Sequence, residues 1–446
     1  MTWPDGTGGA TTDVAPAGGW RPTAALTRAS LAPTALTVLA LLTGRPDLLV
    51  LAAPLLVHAV AAFAERPGVL PAVRSRLGTG SVREGEGTLL HVDLTSAAAV
   101  EHATLAVTPR RLVATRPPSG TVSRFAGPGE TSLHLQLPLT VLRWGRRQVG
   151  DGLLAAASGW AGYQWGPVPL PPRTLTTVPL PGPFDSKAAS PHPIGLVGAH
   201  PARRRGDGFE LDSIRPFHPG DRLRRVHWRV SLRTGTLHVT SSLAEEDASI
   251  LLVVDSGVEV GSSGGVHGAA TSLDLAVRAA GAVAEHHLIR GDRVGVRVLG
   301  SAGPGPLTTA AGRAHLRRVL DLLARVVPGR SHDVDPDRVR FRVSPGTTVL
   351  VFSPMLSQQS VATTSALAAR GLDVIVVDCL PREPALPTTD PRRTIAWRMR
   401  LIEREGLLAR VRRTGVPVIR WRGPGTLDDV LHQLRRRASR TAPVRR

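Results

Sequence analysis

Two long apolar segments near the N-terminus constrain the fold of this chain more than any other feature. They run from Ala29 to Thr43 and from Leu48 to Ala64, and the short polar sequence GRPD separates them. Each is close to the lower limit of the roughly 17–25 residues that a helix needs to cross a bilayer. Helices suit that environment because they satisfy their backbone hydrogen bonds internally. We therefore predict a transmembrane helical hairpin that, with its basic lead-in, occupies residues 23–65.

Arginine placement predicts the orientation of this hairpin. Arginines flank its open end, whereas the one arginine in the turn is balanced by an aspartate. The residues are Arg21, Arg28, Arg66, Arg74 and Arg76 at the open end, and Arg45 with Asp47 in the turn. Because cytoplasmic loops carry an excess of basic residues, we expect a cell-membrane protein with both termini and its soluble domains in the cytoplasm. A buried hairpin of a soluble protein and a signal peptide remain alternatives.

Composition bounds the chemistry that the chain can carry. Its 446 residues are enough for two or three domains. The single cysteine, Cys379, excludes a disulfide framework and a zinc cluster with several thiolates. The only lysine, Lys187, lies outside any Gly-Lys-Ser/Thr sequence, which excludes a P-loop. The net charge of +20 is almost entirely arginine, and it is compatible with a solvated surface near anionic lipid.

Short alternating segments between residues 80 and 180 predict a β-rich module. Sequences such as TLLHVDLTS and TSLHLQLPLTVLRW alternate apolar and polar residues, and Gly/Pro turns separate them. This spacing is typical of a small antiparallel β-sandwich-like module. Residues 1–22 are rich in Gly, Thr and Pro and are predicted to be disordered, and residues 181–201 are predicted to be a linker.

An arginine-rich segment at residues 202–247 carries a long sequence signature. The residues that form the signature are Gly208, Phe209, Glu210, Arg215, Phe217, Gly220, Asp221, Arg224, Trp228, Ser231, Arg233, Thr234, Gly235, Leu237 and Val239. The signature resembles that of the bacterial domain-of-unknown-function-58 family. His227 departs from it, because the family usually has aspartate just before the tryptophan.

The side chains of this segment also suggest physical roles. Asp221 can cap the turn that follows Gly220, and Trp228 is expected to pack inward as an anchor. The predicted binding or structural residues are Glu210, Arg215, Gly220, Asp221, Arg224, Trp228, Ser231 and Arg233. Guanidinium groups suit carboxylate partners inside a joint between domains. A protein-binding face and a nucleic-acid contact are the two alternatives.

Residues 248–437 alternate strands and helices in a pattern typical of a doubly wound parallel sheet, and residues 438–446 form a basic tail. The family resemblance implies that this is a von Willebrand factor A-like domain. Such domains hold a metal with the loop sequence Asp-x-Ser-x-Ser. Here Asp255 is present, but Gly257 and Glu259 replace both serines. The sequence therefore predicts a degenerate site, at which only Asp255 and Glu259 could hold a divalent cation such as Mg²⁺.

The resemblance implies a function as well as a fold. We expect a membrane-anchored, non-catalytic scaffold or adaptor that works with a MoxR-type AAA+ ATPase in protein assembly, maturation or envelope stress. We expect no cofactor and no specific nucleic acid, and the oligomeric state is open.

Two other function classes remain open. One is an enzyme that acts on a small anionic substrate at the strand ends with Asp255 and Glu259 as acid–base groups. The other is a nucleic-acid-binding protein that uses Arg203–Arg205 and the basic tail.

Overall fold

A computed structural model divides the chain into two compact units, Met1–Val178 and Pro179–Arg446. The described residues are 12–14, 18–180, 200–218, 223, 226–246, 249–300, 304–329, 347–384, 390–422 and 426, with only the backbone described at 12–14, 200–213 and 241–246.

The N-terminal unit begins with two short strands, β1 (Thr12–Val14) and β2 (Arg21–Pro22), followed by the helices α1 (Ala24–Thr43) and α2 (Asp47–Ala64). The Thr23 side chain caps α1 by accepting a hydrogen bond from the backbone of the first turn. The helix ends at Gly44, whose φ of 64° lies in the left-handed region. Both predicted apolar helices are thus confirmed, and α1 begins five residues before the apolar run.

The hairpin leaves most of its apolar surface uncovered. Only 22% of the apolar window of α1 and 17% of that of α2 are buried. Leu41 and Leu42 near the turn are 79% and 78% exposed. By length and composition both helices can cross a membrane. Within the unit, the buried residues of the hairpin are mainly small, apart from Leu26 at its base.

Eleven further strands follow in the described part of this unit. They are β3 (Ala72–Leu77), β4 (Ser81–Arg83), β5 (Gly87–Thr95), β6 (Val100–Val107), β7 (Val113–Thr115), β8 (Thr121–Phe125), β9 (Leu133–Val141), β10 (Gly145–Val149), β11 (Gly152–Ser158), β12 (Tyr163–Leu170) and β13 (Arg173–Val178), with one 3₁₀ turn at Gly159–Ala161. They form two five-stranded sheets, in the orders β1-β3-β5-β9-β7 and β2-β12-β11-β6-β8, and a three-stranded sheet β10-β13-β4.

A shared core packs the two five-stranded sheets together. On β5 and β9 buried and exposed residues alternate strictly over most of each strand, as expected when one face of a strand is buried. Leucines from these strands meet Leu105, Leu154 and Trp165 of the opposite sheet in one cluster. All strand pairs in the two sheets are antiparallel. The module is therefore a β-sandwich.

Two predicted boundaries of this region were wrong. Residues 1–22 were expected to be disordered, but β1 pairs with β3 and β2 pairs with β12. The β-rich module also begins at Ala72 and not at residue 80. Both errors have the same cause, because a short edge strand gains its backbone hydrogen bonds from a neighbour that is distant in sequence.

The C-terminal unit begins with a two-stranded ribbon. It contains β14 (His200–Pro216), the short helix α3 (Trp228–Thr234) and β15 (His238–Glu246), with β14 and β15 antiparallel. The ribbon covers most of the predicted arginine-rich segment. The predicted linker at 181–201 lies almost entirely outside the described residues.

The rest of the unit is a six-stranded sheet with helices on both faces. Its elements are β16 (Ser249–Asp255), α4 (Ser272–Ile289), β17 (Arg293–Leu299), β18 (Leu307–Ala310), α5 (Arg313–Ala324), β19 (Thr348–Ser353), α6 (Gln358–Ala369), β20 (Asp373–Asp378), α7 (Pro391–Arg413) and β21 (Val418–Arg420). The strand order is β18-β17-β16-β19-β20-β21, and only β18 is antiparallel to its neighbour.

The central strands are almost completely buried because helices cover both faces. On β16, Leu251 and Val253 join residues of α6 and α7 in one cluster. Helix α4 lies on the sheet against β16, β17 and β19 and also packs against α5. This mixed α/β sheet agrees with the predicted alternation of strands and helices. The predicted final helix and basic tail, from Thr426 onward, lie outside the described residues except for Thr426 itself.

Substitution of Gly152 tests the packing of the sandwich. A Cβ atom at Gly152 would collide with the Ala106 carbonyl oxygen and would lie 2.8 Å from Val107 Cα on β6. Because neither backbone atom can move without breaking the β6–β11 pairing, Gly152→Ala should lower the unfolding free energy by about 1–3 kcal/mol. Thermal unfolding of the detergent-solubilised full chain measures this.

Gly80→Ala is the matched control, because no atom lies within 4 Å of its Cβ position. This variant should keep or slightly raise the unfolding temperature. Equal stability of the two variants would contradict the close approach of β6 and β11.

Candidate functional site

In the C-terminal unit, the carboxyl edge of the parallel sheet contains the switch point at which a ligand site is expected. From β16 the chain moves to β17 on one side, and it later returns to β19 on the other. Ligands of open α/β sheets bind at such a switch point, beyond the carboxyl ends of the strands. Asp255 is the last residue of β16 and Ser353 the last residue of β19. The predicted residue Asp255 is therefore positioned at the switch point.

The Asp255 carboxylate is buried and accepts three hydrogen bonds from protein donors. The hydroxyl groups of Ser353 and Ser360 each donate a hydrogen bond of 2.6 Å to its Oδ2 atom. The backbone N–H of Gly257 donates to Oδ1 at 3.0 Å. Asp255 is only 3% exposed. Since a buried carboxylate is costly unless donors replace water, these three bonds account for its burial.

The serine donors are themselves fixed by the first turn of α6. Ser357 caps that helix by accepting a hydrogen bond from the Ser360 backbone N–H at 3.1 Å. The hydroxyl oxygens of Ser357 and Ser360 are 2.6 Å apart. Because Ser360 gives its proton to Asp255, Ser357 must donate in this pair. The carboxylate also lies beside the N-terminus of α6, where the helix dipole favours negative charge.

Glu259, the second predicted ligand, has a separate structural role. Its Oε1 atom accepts a 2.7 Å hydrogen bond from the Thr271 hydroxyl. Thr271 caps α4 in a reciprocal capping box with Asp274. Glu259 therefore supports the start of α4.

A second buried carboxylate, which the sequence analysis missed, lies at the end of β20. Asp378 is paired with the guanidinium of Arg404 on α7 at 2.5 Å and accepts a backbone hydrogen bond from Leu380 at 3.0 Å. Arg404 also donates to the Pro354 carbonyl oxygen at 2.7 Å. An acid at the end of a buried apolar strand is the signal that singled out Asp255. The same signal in DVIVVD would have found Asp378.

The neighbouring thiol is not a nucleophile. Burial raises the pKa of Cys379 well above its ordinary value, and the nearby carboxylates of Asp378 and Asp255 raise it further. A thiol must be deprotonated to attack or to bind a metal. Cys379 is therefore a small buried hydrophobic residue, and its Sγ atom lies 3.4 Å from the Val377 carbonyl oxygen.

The polar groups at this edge of the sheet join strands to helices. Both strand-end carboxylates are buried, and each is matched by protein donors from a helix on the same face of the sheet. Among the described residues, no group of three or more His, Cys, Asp and Glu side chains could hold a metal ion. The carboxylates of Asp255 and Asp378 join the strand ends to α6 and α7.

The predicted signature residues are distributed over the ribbon. Gly220, Asp221 and Arg224 lie outside the described residues, and only the backbone of Glu210 is described. Arg215 donates to the Pro216 carbonyl oxygen at 3.1 Å. Arg233 lies in the last turn of α3, where positive charge favours the helix dipole. The predicted carboxylate partners of these arginines are thus not described.

Trp228 does not pack inward, which corrects the prediction. It is the first residue of α3 and is 63% exposed. The buried position of this short helix is taken by Ser231, which accepts a hydrogen bond of 2.9 Å from the His238 backbone N–H. The Ser231 hydroxyl donates to the His227 carbonyl oxygen at 3.0 Å. Hydrogen bonds to the serine, and not burial of the indole, hold α3 against β15.

Helix α7 carries apolar residues on two opposite faces. On the inner face Leu408 and Val411 are buried in the core, and Trp397 and Leu401 pack against a smaller cluster. On the outer face Ile395, Met399 and Ile402 are 58%, 59% and 74% exposed. Their spacing of four and three residues places them in one stripe, which we call the outer stripe of α7. A surface helix is normally polar on its outer side.

These features define an α/β protein whose strand-end carboxylates are structural and whose sandwich unit carries an apolar hairpin. Comparison with known families and proteins agrees with the sequence signature. The family model described as Protein of unknown function DUF58 matches residues 213–393. This match confirms, for residues 213–393, the resemblance predicted from the arginine-rich signature.

Curated relatives come from mycobacteria. The uncharacterized protein Rv1480 of Mycobacterium tuberculosis and the uncharacterized protein Mb1516 of Mycobacterium bovis are each 30% identical to this chain over 131 residues. The similarity covers 29% of this chain and 40% of each relative. The chain thus spans well under half the length of the relatives that it matches.

Removal of the serine hydroxyls tests the Asp255 network. Ser360→Ala leaves the buried carboxylate with one donor fewer, so it should lower the unfolding free energy by about 1–3 kcal/mol. Ser353→Ala should have a similar effect. Ser262→Ala, at a half-buried loop serine, is the control and should change stability by less than about 0.5 kcal/mol. Chemical denaturation of the full chain in detergent measures these differences.

A double-mutant cycle makes this test specific. In an Asp255→Asn background the serine no longer donates to an acid, so Ser360→Ala should cost less than it does in the native chain. Equal costs in both backgrounds would show that the serine acts independently of Asp255.

Proposed function

We propose that this protein is a membrane-anchored, non-catalytic scaffold or adaptor whose body faces the cytoplasm. We propose further that its C-terminal unit is a von Willebrand factor A-like domain that has lost the metal chemistry of such domains. Its partner would be a MoxR-type AAA+ ATPase, as the family resemblance implies. The pair would act in protein assembly, maturation or envelope stress.

The exposed apolar surface of the hairpin supports membrane anchoring. Helices of 20 and 18 residues are about 30 and 27 Å long, which is close to the thickness of the hydrocarbon core. Leu31, Leu41 and Val50 are all more than 70% exposed. A helical hairpin of a soluble protein buries such side chains, whereas a membrane-spanning hairpin exposes them to lipid. The arginines at the open end favour its placement in the cytoplasm.

The state of Asp255 supports a role without catalysis. A general base must have a lone pair directed at its substrate, but Asp255 is buried and accepts three hydrogen bonds from the protein at the roughly four acceptor sites of its carboxylate. A domain of this type could instead act by binding partner proteins on its surfaces. The strand order, with an acid at the end of the first strand at the switch point, supports the von Willebrand factor A-like assignment.

The outer stripe of α7 is the observation that carries the partner proposal. Three large apolar side chains in a helical register are exposed although the opposite face of the same helix already fills the core. Contiguous exposed apolar residues with a polar border mark protein interaction sites. The exposed Arg398 lies within the stretch of α7 that bears the stripe. A partner surface with an apolar centre and acidic margins would complement it.

Carbonate extraction tests the membrane anchor. Membranes from cells that make the full chain are washed at high pH, which releases peripheral proteins but not spanning ones. We expect the protein to stay in the pellet because the hairpin would have to leave the hydrocarbon core. Complete release into the supernatant would contradict a spanning hairpin.

Substitution within the outer stripe tests the partner proposal. Met399→Glu and Ile402→Glu place charge in the centre of an apolar contact, so each should weaken binding of a co-expressed MoxR-type ATPase at least tenfold. Affinity is measured by surface immobilisation of the purified full chain. Ile289→Glu is the matched control, because Ile289 at the end of α4 is 61% exposed. Unchanged binding by the α7 variants, or equal loss with the control, would refute α7 as the docking surface.

A further inference from the structure

A groove at the open end of the hairpin combines apolar walls with a cluster of polar groups. It lies between the start of α1 and the end of α2, has a volume of about 440 Å³, and is closed on one side by β12. The lining residues that matter are Leu26, Leu31, Phe63, Arg66 and Tyr163. Two hydroxyl residues on α1 complete it, namely Thr27 and Ser30.

The polar groups of the groove are suited to an anionic head group. Arg66 lies two residues beyond the end of α2 and is exposed, and no carboxylate of the described residues forms an ion pair with it. A guanidinium binds phosphate through charge-assisted hydrogen bonds. The hydroxyls of Thr27 and Ser30 donate to helix carbonyl oxygens. Their oxygen atoms can therefore still accept hydrogen bonds from a ligand hydroxyl group.

The apolar walls of the groove continue onto the surface of the hairpin. Leu31 and Phe63 are 72% and 55% exposed, whereas Leu26 and Tyr163 at the floor are buried. A ligand that fits must therefore have a charged end and a long apolar remainder. A diacyl phospholipid has this shape, with its phosphate at Arg66 and its acyl chains along α1 and α2.

Two tryptophans place the groove at the level of lipid head groups. The indole N–H of Trp20 donates to the Val69 carbonyl oxygen at 2.9 Å, and that of Trp160 donates to Glu65 at 3.4 Å. Both therefore lie beside the open end of the hairpin. Trp160 is half exposed and its ring meets that of His58 on α2 edge to face. Tryptophan is enriched at membrane–water interfaces, because its ring is apolar and its N–H is polar.

We propose that this groove is a binding site for an anionic phospholipid of the membrane in which the hairpin is anchored. The inference rests on the membrane anchoring proposed above. Arg66 binds the phosphate, the Thr27 and Ser30 oxygens accept from head-group hydroxyls, and Leu31 and Phe63 contact an acyl chain. The lipid would fix the depth of the hairpin and cover part of its apolar surface.

Native mass spectrometry of the full chain tests the site. The detergent-purified protein is titrated with phosphatidylglycerol, which has an anionic phosphate and two head-group hydroxyls, or with zwitterionic phosphatidylcholine. The native chain should retain phosphatidylglycerol preferentially. Arg66→Gln should weaken this binding about tenfold or more, because it removes the charged partner of the phosphate.

Arg28→Gln is the matched control for net charge. Arg28 is an exposed arginine on α1 at the same end of the hairpin but does not line the groove. Its substitution should change phosphatidylglycerol binding less than twofold. Equal losses in the two variants would indicate general attraction between basic protein and anionic lipid, and would overturn a site in the groove. No preference for phosphatidylglycerol in the native chain would overturn it as well.

Carbonate extraction separates failure of the site from failure of the anchor. If the native chain and Arg66→Gln both stay in the membrane pellet while only Arg66→Gln loses phosphatidylglycerol, both proposals are supported. If both stay in the pellet and bind the lipid equally, the lipid site alone is refuted. Release of the native chain by carbonate refutes the anchor, and the lipid site with it.

Discussion

The buried carboxylate of Asp255 must find hydrogen-bond donors inside the protein, and the edge of the C-terminal sheet is arranged around that requirement. β19 supplies one serine, α6 supplies another, and the loop after β16 supplies a backbone N–H. Arg404 on α7 does the same for Asp378. Removal of any one partner leaves a buried polar group unmatched, which costs more than the bond itself contributes. The edge where related sheets bind ligands is therefore a joint between strands and helices.

Exposed apolar surface is the second main feature of this molecule. Among the described residues, the hairpin in the N-terminal unit and the outer stripe of α7 in the C-terminal unit are two such surfaces. Neither surface can be covered by the element that bears it, because the opposite side of α7 already fills a core and the hairpin helices bury mainly small residues against each other. Lipid and a protein partner are the two environments that would remove them from water. Because the surfaces belong to separate units, we expect that substitutions can alter the proposed anchoring and the proposed partner binding separately.

Sequence patterns predicted the elements whose residues repeat regularly. The two apolar helices, the alternating strands β5 and β9 and the buried strand β16 all follow from the period of their apolar residues. Patterns failed where one contact between distant segments decides the outcome. The edge strand β1 exists because β3 is beside it, and α3 is held by hydrogen bonds of Ser231 while Trp228 stays exposed. The pairing of Asp378 with Arg404 joins residues that are 26 positions apart on different elements.

At the candidate site, too, some features follow from the sequence alone and others depend on contacts between distant residues. The sequence by itself determined that an acid stands at the end of the first buried strand of the C-terminal unit and that an apolar hairpin lies near the N-terminus. These are consequences of residue type and order, which local periodicity and spacing express directly. Only the tertiary structure decided that Ser353 and Ser360 engage Asp255, that Glu259 belongs to the cap of α4, and that the apolar residues of α7 divide between core and surface. Such outcomes depend on which distant groups fold into hydrogen-bonding or packing distance, and that information is not contained in the spacing of residues along the chain.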